Sequence, residues 1–181
     1  LRNYLAFPEF IHTGSLIVDD VEDNSITRRG GPACHLIYGT PTAINAGTAA
    51  YFMGERLLHG LELSDGDWLR IYKLYFTCMR ASHTGQGMDI HGLRHLVPTA
   101  LTKGNCDSLW QSLLAVHRLK SGVAAMTATR IGVILGGGSA QEEEVLGNYF
   151  LSLGTAFQIV DDVINLRGFQ NNLKDQGEDL K

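Results

Sequence analysis

Leu16-Ile17-Val18-Asp19-Asp20-Val21-Glu22-Asp23 decides how this chain is read, and Phe157-Gln158-Ile159-Val160-Asp161-Asp162-Val163-Ile164-Asn165 repeats its logic near the other end. In each stretch an apolar run leads into a cluster of carboxylates. On an α-helix, positions i and i+4 share a face, so Asp19 points with Asp23, and Asp161 with Asn165. Carboxylates held this close repel one another, and the arrangement makes sense when divalent cations neutralise them. Oxygen-only ligands suit Mg²⁺, which commonly takes one or two carboxylates together with substrate phosphates. The two clusters therefore predict a magnesium-diphosphate site shared between two helices. A solvated helix end is the plain alternative for either cluster alone. Two clusters that both follow apolar runs argue against it. Neither cluster has the alternating ligands, central glycine and closing glutamate of a calcium-binding EF-hand loop.

Asn24-Ser25-Ile26-Thr27-Arg28-Arg29-Gly30-Gly31-Pro32 follows the first cluster. Its turn formers end the helix and deliver two adjacent arginines just beyond the carboxylates. Guanidinium groups stay charged and bind phosphate oxygens in a bidentate manner. Consecutive residues project differently, so Arg28 and Arg29 can serve two separate anions, which suggests two diphosphates. A basic loop pairing with the neighbouring acids is the competing reading.

Further along the chain the apolar spacing is helical. Ile44, Gly47/Thr48, Tyr51/Phe52, Glu55 and Leu58 recur at three- and four-residue steps over 42–62. Trp68, Ile71, Tyr72, Tyr75, Phe76 and Met79 repeat the pattern, and 108–135 and 142–166 extend it. The separators read as turns: Gly30-Gly31-Pro32, Ser64-Asp65-Gly66-Asp67, His95 to Lys103, and Gly136 to Ser139. Ser64 or Asp65 is placed to cap one helix and Asp107 the next. No convincing β alternation, internal repeat or low-complexity tract is visible. The expected fold is an all-α bundle with metal sites built from facing helices.

Composition removes several function classes. The 181-residue length gives a prior of one domain, and a net charge of −4 lacks the basic stripe that nucleic acid needs. Cys34, Cys78 and Cys106 are odd in number and have no zinc spacing. They read as reduced thiols in a cytoplasmic compartment. No apolar run approaches the roughly 18–20 residues needed to span a bilayer, so no transmembrane segment is expected. Gly136-Gly137-Gly138 is a turn, not a phosphate loop. His83 and His91 have no partners at zinc spacing.

Taken together, several collinear stretches carry a resemblance. Glu9-x-x-His12-x-x-Ser15-Leu16-x-x-Asp19-Asp20-x-x-Asp23 with Arg28-Arg29-Gly30 resembles the first aspartate-rich motif, and its flanks, of the trans-isoprenyl diphosphate synthases. Gln86-Gly87-Met88-Asp89 and Lys120-Ser121-Gly122 resemble two further motifs of that family. Phe157-Gln158-x-x-Asp161-Asp162 resembles its second aspartate-rich motif, and Lys174 with Gly177-Glu178-Asp179-Leu180 the segment after it. The details at 161–166 and at Asp23-Asn24-Ser25 are most similar to geranylgeranyl diphosphate synthases.

This resemblance implies the isoprenoid-synthase helical bundle, with a central metal-diphosphate cavity, and a Mg²⁺-dependent condensation of isopentenyl diphosphate with an allylic diphosphate. It implies three Mg²⁺ per active site, held by Asp19, Asp23 and Asp161, with Asp20, Asp162 and Asn165 acting around them. It implies that His12 and Arg29 bind isopentenyl diphosphate. Arg28, Lys120, Ser121, Gln158 and Lys174 would then hold the allylic diphosphate. A homodimer is expected as well. Gly14 and Ser15, about one turn before Asp19, are small, so a growing prenyl chain should pass them. Tyr51, Phe52 and His83 resemble the floor of the chain-length pocket, which points to a C20 product.

The same family carries a Gly-Lys-x-x-Arg motif upstream of the first cluster, whereas 18 residues precede Asp19 here, and further elements follow the second cluster. Residues 1–181 therefore read as a single prenyltransferase domain incomplete at both ends. A class I terpene cyclase would pair Asp-Asp-x-x-Asp with an Asn-Asp-x-x-Ser-x-x-x-Glu motif, which is not found. A non-catalytic partner subunit would be expected to have lost its aspartates, and the first cluster is intact.

Overall fold

A computed structural model describes residues 2–167, most of them helical, and the chain divides into two compact units. Among the described residues, one comprises those up to Glu62 together with 161–167, the other Leu63–Val160.

In the first unit, α1 (Arg2–Glu22) packs on α3 (Thr40–Met53). Two glycines set their separation. A Cβ on Gly14 would lie 2.6 Å from the Gly47 carbonyl oxygen and 2.7 Å from Ala50 Cβ; one on Gly47 would lie 2.8 Å from Val18 Cγ2. The two backbones meet where neither residue has a side chain. Between these helices come a hairpin, β1 (Thr27–Arg28) with β2 (Gly31–Pro32), and the short α2 (Cys34–Tyr38). A 3-10 turn, Gly54–Leu58, follows α3 and packs on α1. Tyr4, Phe7, Ala33, Ala43, Tyr51 and Leu58 form the buried apolar set.

The second unit is built on α4 (Asp65–His91). Ser64 caps it as expected: its Oγ accepts from the Asp67 amide at 3.1 Å and donates to Asp67 Oδ2 at 2.8 Å. Ile71 and Tyr75, one turn apart, are its buried apolar residues, beside the half-exposed Trp68–Tyr72–Phe76 ring ladder, whose Phe76 ring meets Tyr75 edge-on. Next come α5 (Val97–Lys103), α6 (Asp107–His117), a π-helical turn at Arg118–Gly122 and α7 (Val123–Leu135). The last helix, α8 (Ala140–Arg167), starts in this unit behind a capping box in which Ser139 and Glu142 bond reciprocally.

Two expectations are corrected. Residues 95–103 are not a turn: Arg94–Leu96 is a 3-10 turn and α5 follows. Pro98 suits a first helical turn, and Gly104 (φ +61°) stops the helix after seven residues, too few for a period to show. Asp107 does not cap α6 but is its first residue, and Asn105 Oδ1 accepts the Asp107 amide at 2.7 Å. Residues 108–135 are helical as their spacing suggests, with the π-turn joining α6 to α7.

The Gly14–Gly47 crossing gives a stability prediction. An exposed Gly→Ala in a helix gains about 1 kcal/mol from propensity, whereas overpacking costs about 1–3 kcal/mol. Because the Cβ meets backbone, overpacking wins here. Gly14→Ala should lower the thermal midpoint by several degrees, and a raised midpoint in a melting experiment would show that the crossing is loose.

Candidate active site

The first acidic cluster sits where α1 stops. Asn24 takes a left-handed backbone (φ +54°), its N–H reaches the Val21 carbonyl at 3.4 Å, and the Ser25 N–H bonds the Asp20 carbonyl at 2.9 Å. This is a Schellman stop with Asn in the position glycine usually fills. The Asp23 N–H bonds the Asp19 carbonyl at 2.9 Å, which stacks those two residues one turn apart. Carboxylates at a helix C-terminus oppose the helix dipole, so they need a cation.

Arg28 supplies it. Its Nε donates to Asp20 Oδ1 at 2.8 Å, its Nη2 bonds the same oxygen, and Nη2 lies 3.5 Å from Asp19 Oδ2. Asp20 is only 2 % exposed, so its carboxylate has little water to fall back on. Arg28 therefore faces the acids, not an open anion site. Its neighbour differs. Arg29 and Gly30 form the two-residue turn of the hairpin, both with positive φ (53° and 81°), the signature of a type I′ turn. This leaves Arg29 exposed at the tip, outside every ion pair among the described residues. His12, two turns before Asp19, is exposed, and its carbonyl accepts from Ser15 Oγ at 2.8 Å.

Asp161, Asp162 and Asn165 lie on the final turns of α8, grouped with the same unit. Both aspartates are half-buried. Asn165 is 3 % exposed, and its Nδ2 donates to no atom among the described residues. A buried amide donor without an acceptor costs about 1–3 kcal/mol, so the position calls for an anionic or water oxygen.

The residues expected to line a chain-length pocket differ in exposure. Gly14 is turned against α3, as described above, and does not line an open wall. Tyr51 is 7 % exposed but Phe52 is 67 % exposed, because adjacent helical residues point about 100° apart. His83 is exposed on α4, with Nδ1 2.9 Å from the Met79 carbonyl, in the other unit. Burial pushes the Tyr51 hydroxyl up to about 12, helped by the charges of Glu22 and Asp19.

In the second unit the π-turn sends two consecutive side chains to two different helices. Lys120 Nζ pairs with Asp89 Oδ2 of α4 at 2.6 Å, and Ser121 Oγ donates to Gln158 Oε1 of α8 at 2.5 Å. Glycines allow the approach. A Cβ on Gly85 would lie 2.6 Å from the Lys120 amide nitrogen, and one on Gly154 3.0 Å from the Ser121 carbonyl oxygen. The motif reading gave Asp89 no role; an acid in the last turn of a helix is the signal that marks it. Lys174 and Gly177-Glu178-Asp179-Leu180 lie outside the described residues.

The polyprenyl synthetase family model matches residues 1–181. The chain belongs to this family. A short chain isoprenyl diphosphate synthase of Methanocaldococcus jannaschii is 31% identical over 177 residues, covering 97% of this chain and 50% of the relative. A geranylgeranyl pyrophosphate synthase of Epichloe festucae is 32% identical over 159 residues, 88% of this chain and 42% of the relative. Among solved structures, a geranylgeranyl pyrophosphate synthase superposes with a TM-score of 0.82 at 24% identity, covering 98% of this chain and 51% of that one. A polyprenyl synthase from Caulobacter crescentus CB15, complexed with calcium and isoprenyl diphosphate, gives 0.77 at 27% identity, covering 98% and 50%. The fold is thus the isoprenoid-synthase helical fold of polyprenyl synthetases. The chain spans about half the length of the curated relatives it matches. Among the described residues no helix is long and apolar enough to cross a membrane.

These residues fit Mg²⁺. Each cluster offers carboxylate oxygens, and the orphaned Asn165 amide suits an oxygen brought in with the ion. Among the described residues no three Asp, Glu, His or Cys side chains gather closely enough to hold a metal alone.

Two predictions follow from the geometry of the first unit. Arg28→Ala leaves the buried Asp20 carboxylate without its partner. In chelator it should cost about 2–3 kcal/mol in urea denaturation, and Arg28→Lys less. An unchanged midpoint would mean Asp20 is hydrated. For Tyr51, the unfolded hydroxyl titrates near 10 and the folded one at about 12. Its stabilising contribution is full below pH 10 and is lost as pH rises through that window, since the unfolded state gives up its proton first. Tyr51→Phe in chelator should therefore show a shallower alkaline loss of stability between pH 10 and 12 than wild type. Parallel curves would contradict the assignment.

Proposed function

We propose that this chain serves a trans-prenyl transferase: Mg²⁺-dependent, head-to-tail condensation of isopentenyl diphosphate with an allylic diphosphate, giving geranylgeranyl diphosphate (C20). The observation that carries the reading is the acidic end of α1, with its buried Asp20–Arg28 pair, in a chain that matches the polyprenyl synthetase family along its whole length. Relatives named as geranylgeranyl pyrophosphate synthases support the C20 product. A divalent cation and isoprenyl diphosphate in the Caulobacter crescentus structure support the substrate class.

In this reading Asp19, Asp23 and Asp161 hold Mg²⁺, three ions per site, and Asp20, Asp162 and Asn165 orient waters and phosphate oxygens around them. Mg²⁺ held there would supply positive charge for the departing diphosphate. Arg28 fixes the direction of Asp20 and balances Asp19. Lys120, Ser121 and Gln158 hold the allylic diphosphate, and Lys174 is assigned to it as well. As the allylic C–O bond breaks, the electron pair leaves with the diphosphate and an allylic cation remains. His12 and Arg29 hold isopentenyl diphosphate, whose double bond attacks that cation, and the released diphosphate accepts the proton lost. Preorganised positive charge where negative charge develops supplies most of the rate. Ser15 leaves room for the growing chain, with Tyr51, Phe52 and His83 assigned to its far end.

A homodimer is proposed too. Leu69 and Phe76 on α4, and Tyr149, Leu153 and Phe157 on α8, are exposed apolar side chains of the kind a second copy covers. The free cysteines suit a reducing, cytoplasmic setting.

The test is incubation of the protein with isopentenyl diphosphate, each allylic diphosphate and Mg²⁺, followed by product chromatography. Geranylgeranyl diphosphate is expected, and Asp19→Ala should lower turnover at least about a hundredfold with its melting midpoint nearly unchanged. Wild-type product formation by Asp19→Ala at limiting Mg²⁺ would remove the metal assignment.

A further inference from the structure

We propose that Asp89 is a positioning residue: through its 2.6 Å ion pair it holds the Lys120 ammonium in the orientation in which Lys120 receives the allylic diphosphate. The inference rests on the reading of Lys120 as a diphosphate ligand. Asp89 lies in the last turn of α4, where the dipole disfavours a carboxylate and the acid costs the helix stability. The pair itself returns little, because Asp89 is 47 % and Lys120 25 % exposed at the side chain, and exposed ion pairs contribute about 0–1 kcal/mol. Stability is therefore a poor explanation for an acid at this position. Orientation is a better one.

The local architecture points the same way. Gly85 and Asp89 are one turn apart on α4, so they share a face. Gly85 brings the α4 backbone against Leu119 and Lys120 with no room for a Cβ, and Asp89 then meets the Lys120 head group. On the far side, Gly122 and Gly154 bring α8 equally close, and Gln158, one turn beyond Gly154, takes the Ser121 hydroxyl. A π-turn displaces its side chains from the regular α-helical positions and is often found at functional sites. Here it points a cation to one wall and a hydroxyl to the other, and each is held by a residue one turn beyond a glycine contact. A lysine has four rotatable bonds to fix, and holding its ammonium in place before the anion arrives removes that ordering cost from binding. The diphosphate then competes with the Asp89 carboxylate for an ammonium that is already aimed.

A double-mutant cycle tests this with two readouts: steady-state kinetics with the allylic diphosphate, and calorimetric binding of inorganic diphosphate in the presence of Mg²⁺. Asp89→Asn should lower kcat/KM for the allylic substrate about tenfold, the usual scale for losing a partner that orients a working group. It should leave the KM for isopentenyl diphosphate unchanged and the melting midpoint equal or higher. Asp89→Glu should recover part of the loss. In a Lys120→Ala background the Asp89→Asn effect should vanish in both readouts. If Asp89→Asn acts by the same factor in both backgrounds, or retains wild-type kcat/KM, Asp89 does not work through Lys120. If Lys120→Ala alone binds Mg²⁺-diphosphate as wild type does, the role of Lys120 falls first and the inference falls with it.

Discussion

The buried carboxylate of Asp20 is the constraint around which the first unit is arranged. An acid 2 % exposed at a helix C-terminus is costly twice over, through lost hydration and through the dipole. The chain answers with one connected piece of local structure. Asn24 turns the backbone left-handed and stops α1, the Ser25 amide returns to the Asp20 carbonyl, and a two-residue hairpin folds Arg28 back onto the carboxylate. The same fold places Asp19 and Asp23 beside it, one turn apart, with Arg28 Nη2 3.5 Å from Asp19 Oδ2. An ion arriving with diphosphate adds positive charge to a cluster in which Arg28 bonds Asp20 and lies 3.5 Å from Asp19.

Glycine does comparable work inside each unit, for different purposes. Between α1 and α3 the Gly14–Gly47 contact sets a helix spacing. Around the π-turn, Gly85, Gly122 and Gly154 press polar groups together at distances that force pairing, so that Lys120 and Ser121 meet partners on separate helices. Short-range polar geometry of this sort is fixed by backbone proximity and not by the strength of any one bond.

Much of the fold was readable because its signals are local. The three- and four-residue apolar steps over 68–79 mark the face of α4 that Ile71 and Tyr75 bury, and Ser64 caps that helix as its position suggested. Features set by a single φ angle or by distant partners were harder to read. Positive φ at Arg29 has no glycine to announce it, and a seven-residue α5 hides within a turn-like composition. The two acidic clusters were visible as i, i+4 patterns, but spacing gives no direction for a side chain. The bond from Arg28 to Asp20 and the close approach of α3 to Gly14 are therefore seen only in the folded chain. Asp89 and Lys120 are 31 residues apart, so only the folded chain joins them.

The central claim is that the carboxylates left at the rim of α1 bind diphosphate only by way of a divalent ion. Calorimetric titration of inorganic diphosphate into the protein, with Mg²⁺ and again in chelator, tests it most directly. Binding that requires Mg²⁺ and is lost in Asp19→Ala is the predicted result; equal binding in chelator, or retention in Asp19→Ala, would contradict it.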